Sequence, residues 1–317
     1  METKPVLCLM GPTAAGKTGI AMQLADRFPV ELVSVDSALV YRGMDIGTAK
    51  PDEETLQRYP HALVDILEPE EPYSAGEFIR DAEQAIDAIH ARGKLPLLVG
   101  GTMMYFRTLI TGMAELPPAD EAVREAIDAE AAVSGWPALH AELARIDPVA
   151  AERINANDSQ RIQRALEVCR VSGRTLTAWH ASTRPVREDF RFLRIALLPE
   201  PRSVLHERIE QRLEQMLGEG FVDEVRRLRE RPGLTASHPS MRAVGYRQYW
   251  EHLDGDVDAA EARQRALAAT RQLAKRQLTW LRSEPELFAV NPLETDALSA
   301  ISDYLEAALS AKKGDNG

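Results

Sequence analysis

The chain has 317 residues, 44% of them hydrophobic and 27% charged, a balance that excludes wholesale disorder and supports a sizeable buried core. Two cysteines, Cys8 and Cys169, exclude a disulfide framework and a four-ligand zinc site, and they suit a reducing compartment. A formal charge of −11 excludes a uniformly basic nucleic-acid binder, although local basic faces can still bind.

In chain order, Val6–Met10 is a short apolar run without alternation, the pattern of a strand buried on both faces of a parallel sheet. A Gly/Pro loop, Gly11 to Gly16, leads into a helical stretch reaching Arg27, and Glu31–Val35 is a second strand ending at Asp36. Ser74 with Glu77 forms a capping box for a helix that sets Phe78, Ala82, Ala85, Ile86 and Ile89 on one face. Gly93 stops that helix, and Leu95–Val99 is a third strand running into Gly100 and Gly101. Strands alternating with helices predict an α/β fold with a parallel sheet flanked by helices, whose ligands bind beyond the carboxyl ends of the strands. All three strand ends carry glycine, hydroxyl or acidic residues, which points to one common edge.

After Leu116-Pro117-Pro118 the texture turns helical, with Ala122–Val133, Ala138–Ile146 and Ser159–Val171 separated by Gly135-Trp136-Pro137 and Asp147-Pro148. The expectation is an inserted all-helical domain over 116–187 in an α/β core made of 1–115 and 188–317. Phe192–Leu198 re-enters the sheet. Two helices follow, one through Leu205, Ile209, Leu213 and Met216, the next through Val222, Val225 and Leu228, and helix continues to about Ser283. From Arg263 to Arg282 the basic residues Arg263, Arg265, Arg271, Lys275, Arg276 and Arg282 have no acid among them. No apolar run is long enough to cross a bilayer and no secretory signal is visible, so a cytoplasmic protein without a membrane anchor is expected. No coiled-coil stripe is visible, which favours a monomer.

Gly11-Pro12-Thr13-Ala14-Ala15-Gly16-Lys17-Thr18 matches the phosphate loop G-x-x-x-x-G-K-[ST], in its proper setting between strand and helix. Its glycines let backbone amides wrap phosphate at a helix N-terminus. Lys17 can neutralise phosphate oxygens, and the Thr18 hydroxyl can ligate Mg2+. Such a P-loop core is equally the mark of an ATP-binding kinase or NTPase.

Other segments point elsewhere. Asp36-Ser37-Ala38-Leu39-Val40-Tyr41-Arg42 with Gly47-Thr48-Ala49-Lys50-Pro51, and Gly100-Gly101-Thr102-Met103-Met104-Tyr105, resemble signatures of the tRNA dimethylallyltransferases (tRNA isopentenyltransferases). So do Asn157-Asp158-Ser159-Gln160-Arg161 with Arg164-Ala165-Leu166-Glu167-Val168, Arg242 to Arg247, and Lys275 to Arg282. The matches run in order along nearly the whole chain and resemble the bacterial type, because a zinc-finger tail would need more cysteines.

The resemblance implies a P-loop NTPase-like core and transfer of the five-carbon prenyl group of dimethylallyl diphosphate to the N6 amine of the adenosine 3′ to the anticodon. Physical argument agrees: a phosphate loop can hold a departing diphosphate, and a carboxylate can take the amine proton. Asp36 is the candidate base, with magnesium ligation or helix capping as its other readings. Thr102 and Arg212, the latter ahead of Arg208, complete the candidate catalytic set with Lys17; a plain turn residue and a solvated charged helix face are their respective other readings. An extruded adenine needs directed contacts. The candidate tRNA surface comprises Asp36, Ser37, Ala38 and Leu39; Thr102 and Arg124; Gln160, Arg161, Ile162, Gln163 and Arg164. It continues through Arg242, Ala243, Val244, Gly245, Tyr246 and Arg247, then Lys275, Arg276, Gln277, Leu278, Thr279, Trp280, Leu281 and Arg282. A solvated face paired with Glu167 is the competing reading of the arginine helix. Three other functions compete with tRNA prenylation: a small-metabolite kinase, an isopentenyltransferase acting on free adenylate, and a non-catalytic RNA-binding protein with a vestigial loop.

Overall fold

A computed structural model describes residues 3–114, 116–182 and 187–310. Glu115, the last residue of the expected first core segment, and residues 183–186 near the end of the expected insertion lie outside the described residues. The chain divides into two compact units, Met1–Arg107 with Glu188–Gly317, and Thr108–Arg187. The first boundary therefore falls before the prolines that mark the change in composition.

In the first unit the strands and helices run β1 (Lys4–Met10), α1 (Lys17–Ala25), β2 (Val30–Val35), α2 (Glu53–Arg58), β3 (His61–Ala62), α3 (Ala75–Ala91), β4 (Leu95–Gly100) and α4 (Met103–Thr111), whose last residues pass into the second unit. The second unit holds α5 (Glu121–Ser134), α6 (Trp136–Ile146), α7 (Pro148–Arg153), α8 (Ser159–Ser172) and α9 (Leu176–Ala181). The chain then adds β5 (Phe190–Leu197), α10 (Arg202–Gly218), α11 (Phe221–Arg229), α12 (Tyr246–Asp254), α13 (Ala259–Ser283), β6 (Phe288–Val290) and α14 (Ala297–Ser310).

The six strands form one sheet in the order β3-β2-β4-β1-β5-β6, with every pairing parallel. β1 lies inside it, with Leu7 level with Leu97 on one side and Leu193 on the other. Val6, Leu7, Cys8 and Leu9 are wholly buried, as an unalternating apolar run requires. The expected cap of α3 is present: the Glu77 amide donates to Ser74 Oγ, and Glu77 Oε2 accepts from the Ser74 amide. Gly100 is needed where β2 and β4 close together, because a Cβ there would lie 2.0 Å from the Val35 carbonyl oxygen.

Among the described residues, one core packs α1 and α14 on the sheet through Leu24, Leu7, Leu97 and Ile301. Another gathers Leu205, Ile209, Phe221, Tyr246 and Leu278 from the late helices and seats Val40, Tyr41 and Met44 against them. The segment after β2 is therefore held by packing, although it contains little regular structure.

The helical unit has its own core, including Ile127, Leu139, Leu143, Ile162 and Leu166. At its centre Glu167 is fully buried, yet it accepts from Arg124 Nε (2.9 Å), Arg164 (2.7 Å) and the Asp120 amide (2.8 Å). Burial pushes its carboxyl up, but the bonds from Arg164, the Asp120 amide and Arg124 outweigh it and hold the pKa below 4.5. A depressed carboxylate pKa gives stability that is present above the unfolded value and lost as pH falls through the folded one. Glu167→Ala should destabilise this unit by on the order of 2–4 kcal/mol, because two arginines lose a shared acceptor and a cavity opens. Thermal melts at neutral pH check this; an unchanged midpoint contradicts it.

Candidate active site

The phosphate loop leaves β1 at Met10 and enters α1 at Lys17. Its tight path puts Ala14 at φ +63° and Gly16 at φ +89°, the left-handed region where a Cβ is disfavoured and glycine is free. Ala15 is buried in the sheet core, whereas Gly16 and Thr18 are exposed. Lys17 Nζ donates to the carbonyls of Gly11 (3.0 Å) and Pro12 (2.8 Å), so the amine is folded over its own loop. Burial pushes its pKa down to about 8, against the opposing pull of Asp36 and with a further push from Arg212.

Asp36 follows β2 and is partly buried. Its Oδ1 accepts from the amides of Ala38 (2.8 Å) and Leu39 (3.4 Å), a short side-chain turn that orients the carboxylate and leaves Oδ2 for another partner. Thr102 follows β4; its amide donates to the Val35 carbonyl, and its hydroxyl accepts from the exposed Ser37 amide at 3.1 Å. Thr102 therefore ties the ends of β4 and β2 together. Arg212 projects from α10 to within 3.4 Å of the Thr48 carbonyl, and its charge is felt by both Asp36 and Lys17. Burial lowers the Arg212 pKa, and Asp36 opposes that fall. Arg208, one turn earlier on α10, brings a guanidinium nitrogen to 3.9 Å from where a Gly16 Cβ would stand. Arg208 thus stands beside the loop, while Arg212 stands beside Thr48 with its charge reaching Lys17 and Asp36.

The loop between Asp36 and Lys50 depends on a residue that sequence reading missed. Glu224 of α11 is buried and accepts from the amides of Asp45 (2.9 Å), Ile46 (2.8 Å) and Gly47 (3.1 Å) and from the Tyr246 hydroxyl (2.6 Å). Lys50 closes the same loop on the Tyr41 carbonyl (2.8 Å), Asp45 (2.6 Å) and Asp65. These contacts account for the Gly47 to Lys50 signature as scaffolding for Arg212 and Asp36.

The structure turns several of the expected RNA-contact residues inward. Ile162, Tyr246, Leu278 and Leu281 are buried in cores, and Gly245 is buried at the start of α12, so these side chains or their positions face protein. Gln277 is 8% exposed and hydrogen-bonded inward. Arg124 and Arg164 are committed to Glu167, and Arg164 also donates to the Pro117 carbonyl. Gln163 donates to Asp128 (2.7 Å). Gln160 is exposed, as is Arg161, which pairs with Asp158 beside it. A hollow of about 480 Å³ in the helical unit is lined by Arg153, Arg161, Arg164, Leu176 and His180, among others.

In the first unit Arg242 and Arg247 are exposed, with Ala243 and Val244 partly so. The stretch from Arg263 to Arg282 is acid-free in sequence but not in space. Arg263 meets Glu210 and Glu214, Arg265 meets Glu251 and Glu261, Arg271 meets Glu210, and Arg282 meets Glu200. Lys275 and Arg276 carry no ion pair among the described residues, and they line a shallow hollow with Thr279 and Trp280.

A family model described as IPP transferase matches residues 39–284. A tRNA dimethylallyltransferase of Burkholderia multivorans is 54% identical over 310 residues, covering 97% of this chain and 95% of that protein. One from Chromobacterium violaceum is 57% identical over 283 residues, covering 89% and 87%. Among solved structures, the tRNA isopentenylpyrophosphate transferase of Bacillus halodurans superposes with a TM-score of 0.71 at 36% identity, covering 98% of each chain. A eukaryotic dimethylallyltransferase acting on tRNA gives 0.76 at 24% identity, a likeness of fold, over 99% of this chain and 79% of that one. With the family model and these relatives spanning most of its length, the chain belongs to the IPP transferase family.

Proposed function

We infer that the chain transfers the dimethylallyl group of dimethylallyl diphosphate to the N6 amine of the adenosine 3′ to the anticodon in tRNA, releasing diphosphate. The relatives above are named tRNA dimethylallyltransferases. The observation that carries the reading is the meeting of Lys17 and Arg208 at the phosphate loop with Arg212 and one oriented carboxylate, Asp36, whose charges reach Lys17.

The chemistry balances at this site. The bond between the allylic carbon and the diphosphate oxygen breaks, and its electron pair leaves with the diphosphate. The adenine nitrogen forms the new C–N bond, and its proton passes to Asp36 Oδ2. Lys17 and Arg212 stabilise the charge that grows on the departing oxygens. Oδ1, bound to two amides, keeps Oδ2 aimed. The exposed Thr18 hydroxyl at the start of α1, with the donor's own oxygens, suits the sparse oxygen ligation that Mg2+ accepts, and the ion would neutralise the leaving diphosphate. The adenine must leave its stack to reach Asp36.

The test is prenylation assayed on tRNA, AMP and ATP in parallel, with dimethylallyl diphosphate as donor and, separately, ATP as a phosphoryl donor. Product on tRNA alone supports the reading. Product on AMP alone moves the activity to free adenylate, and phosphoryl transfer makes the chain a kinase.

Lys275 and Arg276 provide an independent test of the tRNA face. The double variant Lys275→Ala, Arg276→Ala should weaken tRNA binding and make its salt dependence shallower by a slope of about 2, one per lost phosphate contact. Turnover at saturating tRNA should remain near wild type. Filter binding across a salt series checks this, and an unchanged slope removes these residues from the RNA face.

A further inference from the structure

Helical periodicity divides α13 into two faces. Ala274, Gln277, Leu278 and Leu281 turn inward, while Lys275, Arg276 and Thr279 are exposed. An uncharged polar side chain among buried apolar neighbours costs free energy unless both ends of its amide are bonded. Gln277 meets that condition in a specific way. Its Oε1 accepts from the Thr13 amide at 2.9 Å, and its Nε2 donates to the Gly101 carbonyl at 2.8 Å.

Those two partners are the phosphate loop after β1 and the Gly-Gly-Thr end of β4. The approach is close: a Cβ on Gly101 would lie 2.6 Å from Gln277 Nε2, 3.3 Å from the Gly11 carbonyl and 3.6 Å from Lys17 Nζ. The Gly11 carbonyl is also one of the two that hold Lys17 Nζ. One amide therefore braces the loop that carries Lys17 against the strand end that carries Thr102. No other side chain among the described residues bonds both segments.

We propose that Gln277 is a positioning residue for the diphosphate donor: it holds the Thr13 amide and the Gly101 carbonyl, and so sets the loop carrying Lys17 against the strand end carrying Thr102. The proposal rests on the functional reading above and deepens it. Gln277 acts through the loop, without touching the substrate. Misplacing a catalytic group by about 1 Å can cost ~100-fold in rate, so loss of the brace should appear in donor kinetics.

The experiment uses the full chain as wild type, Q277M and Q277E. Titration with inorganic diphosphate, steady-state kinetics in dimethylallyl diphosphate at saturating tRNA, filter binding of tRNA and thermal melts are read for each. Q277M matches the side chain in length but bonds neither partner. It should weaken diphosphate binding and lower kcat/KM for the donor by roughly 10- to 100-fold, with tRNA affinity unchanged within about 2-fold. Should Q277M fail to fold, Q277E carries the test, because it keeps the Thr13 bond and sets a carboxylate against the Gly101 carbonyl. Its donor KM should rise too. An unchanged diphosphate affinity in whichever variant folds overturns the proposal, as does a lowered melting point with normal donor kinetics. Weakened tRNA binding with normal diphosphate binding would return Gln277 to the RNA face and also overturn it. Wild type that binds diphosphate but prenylates no tRNA defeats the functional reading alone, and loss of diphosphate affinity in Q277M would still support the brace.

Discussion

Asp36→Asn should lower turnover at saturating substrates by about 10²- to 10⁴-fold, the range that a positioned general base contributes. The substitution is informative because of how Asp36 is held. Its Oδ1 accepts from the Ala38 and Leu39 amides, a role that an asparagine oxygen performs equally well. The turn after β2, and with it the placement of Ser37 against Thr102, should survive. What disappears is the basic Oδ2. Affinities for tRNA and for diphosphate should therefore stay within a few-fold of wild type while the chemical step collapses. Single-turnover kinetics separates the two quantities. Near-normal turnover would remove Asp36 as the proton acceptor, and a variant that fails mainly through lost magnesium dependence would make it a metal ligand.

The second large effect belongs to Lys17. Lys17→Ala should reduce kcat by ~10²- to 10³-fold and weaken diphosphate binding, since the charge it meets grows as the C–O bond breaks. Its pH dependence has a definite sign. Burial has pushed this amine down to about 8, so the free enzyme loses the lysine's positive charge as pH rises through that value. Diphosphate affinity should fall across the same interval in wild type and should show no such step in the alanine variant. Titrations from neutral to alkaline pH measure this, and a flat wild-type profile contradicts the placement of Lys17 against the anion.

The core of this site was legible because its signals are local. A buried strand, a glycine-rich loop and a Lys-Thr pair at a helix start are contiguous, and the ends of β2 and β4 announce themselves by Asp36 and by Gly100-Gly101-Thr102. Parallel pairing then places those ends beside one another. The two faces of α13 were less legible when the helix was read as a line. Lys275 to Arg282 looks like one basic segment, yet the 3.6-residue period sends Gln277, Leu278 and Leu281 inward and only part of the segment outward. Helical spacing alone, applied to that stretch, would have separated the faces.

Other features had no local signal. Glu224 sits among charged residues on α11 and reads as a surface acid, but it is buried because three loop amides and Tyr246 converge on it from distant segments. The pairing of Arg124 and Arg164 with Glu167 likewise depends on how α5 and α8 pack, which spacing on one helix cannot reveal. β6 and α14 went unread, the strand because three residues between Pro285 and Pro292 offer no period to detect. The acid-free basic stretch lost most of its free charge to glutamates on α10, α12 and elsewhere. Lys275 and Arg276 remain as the cations of that stretch with no ion pair among the described residues, beside the exposed Arg161, Arg242 and Arg247 elsewhere on the candidate RNA surface.

The measurement that bears most directly on the whole account is mass spectrometry of nucleosides from tRNA incubated with the protein, magnesium and dimethylallyl diphosphate, run beside Asp36→Asn. The expected result is one adenosine per tRNA, the one 3′ to the anticodon, heavier by a single five-carbon unit with wild type and unmodified with the variant over the same time. An unmodified tRNA with wild type, or equal modification by the variant, would contradict it.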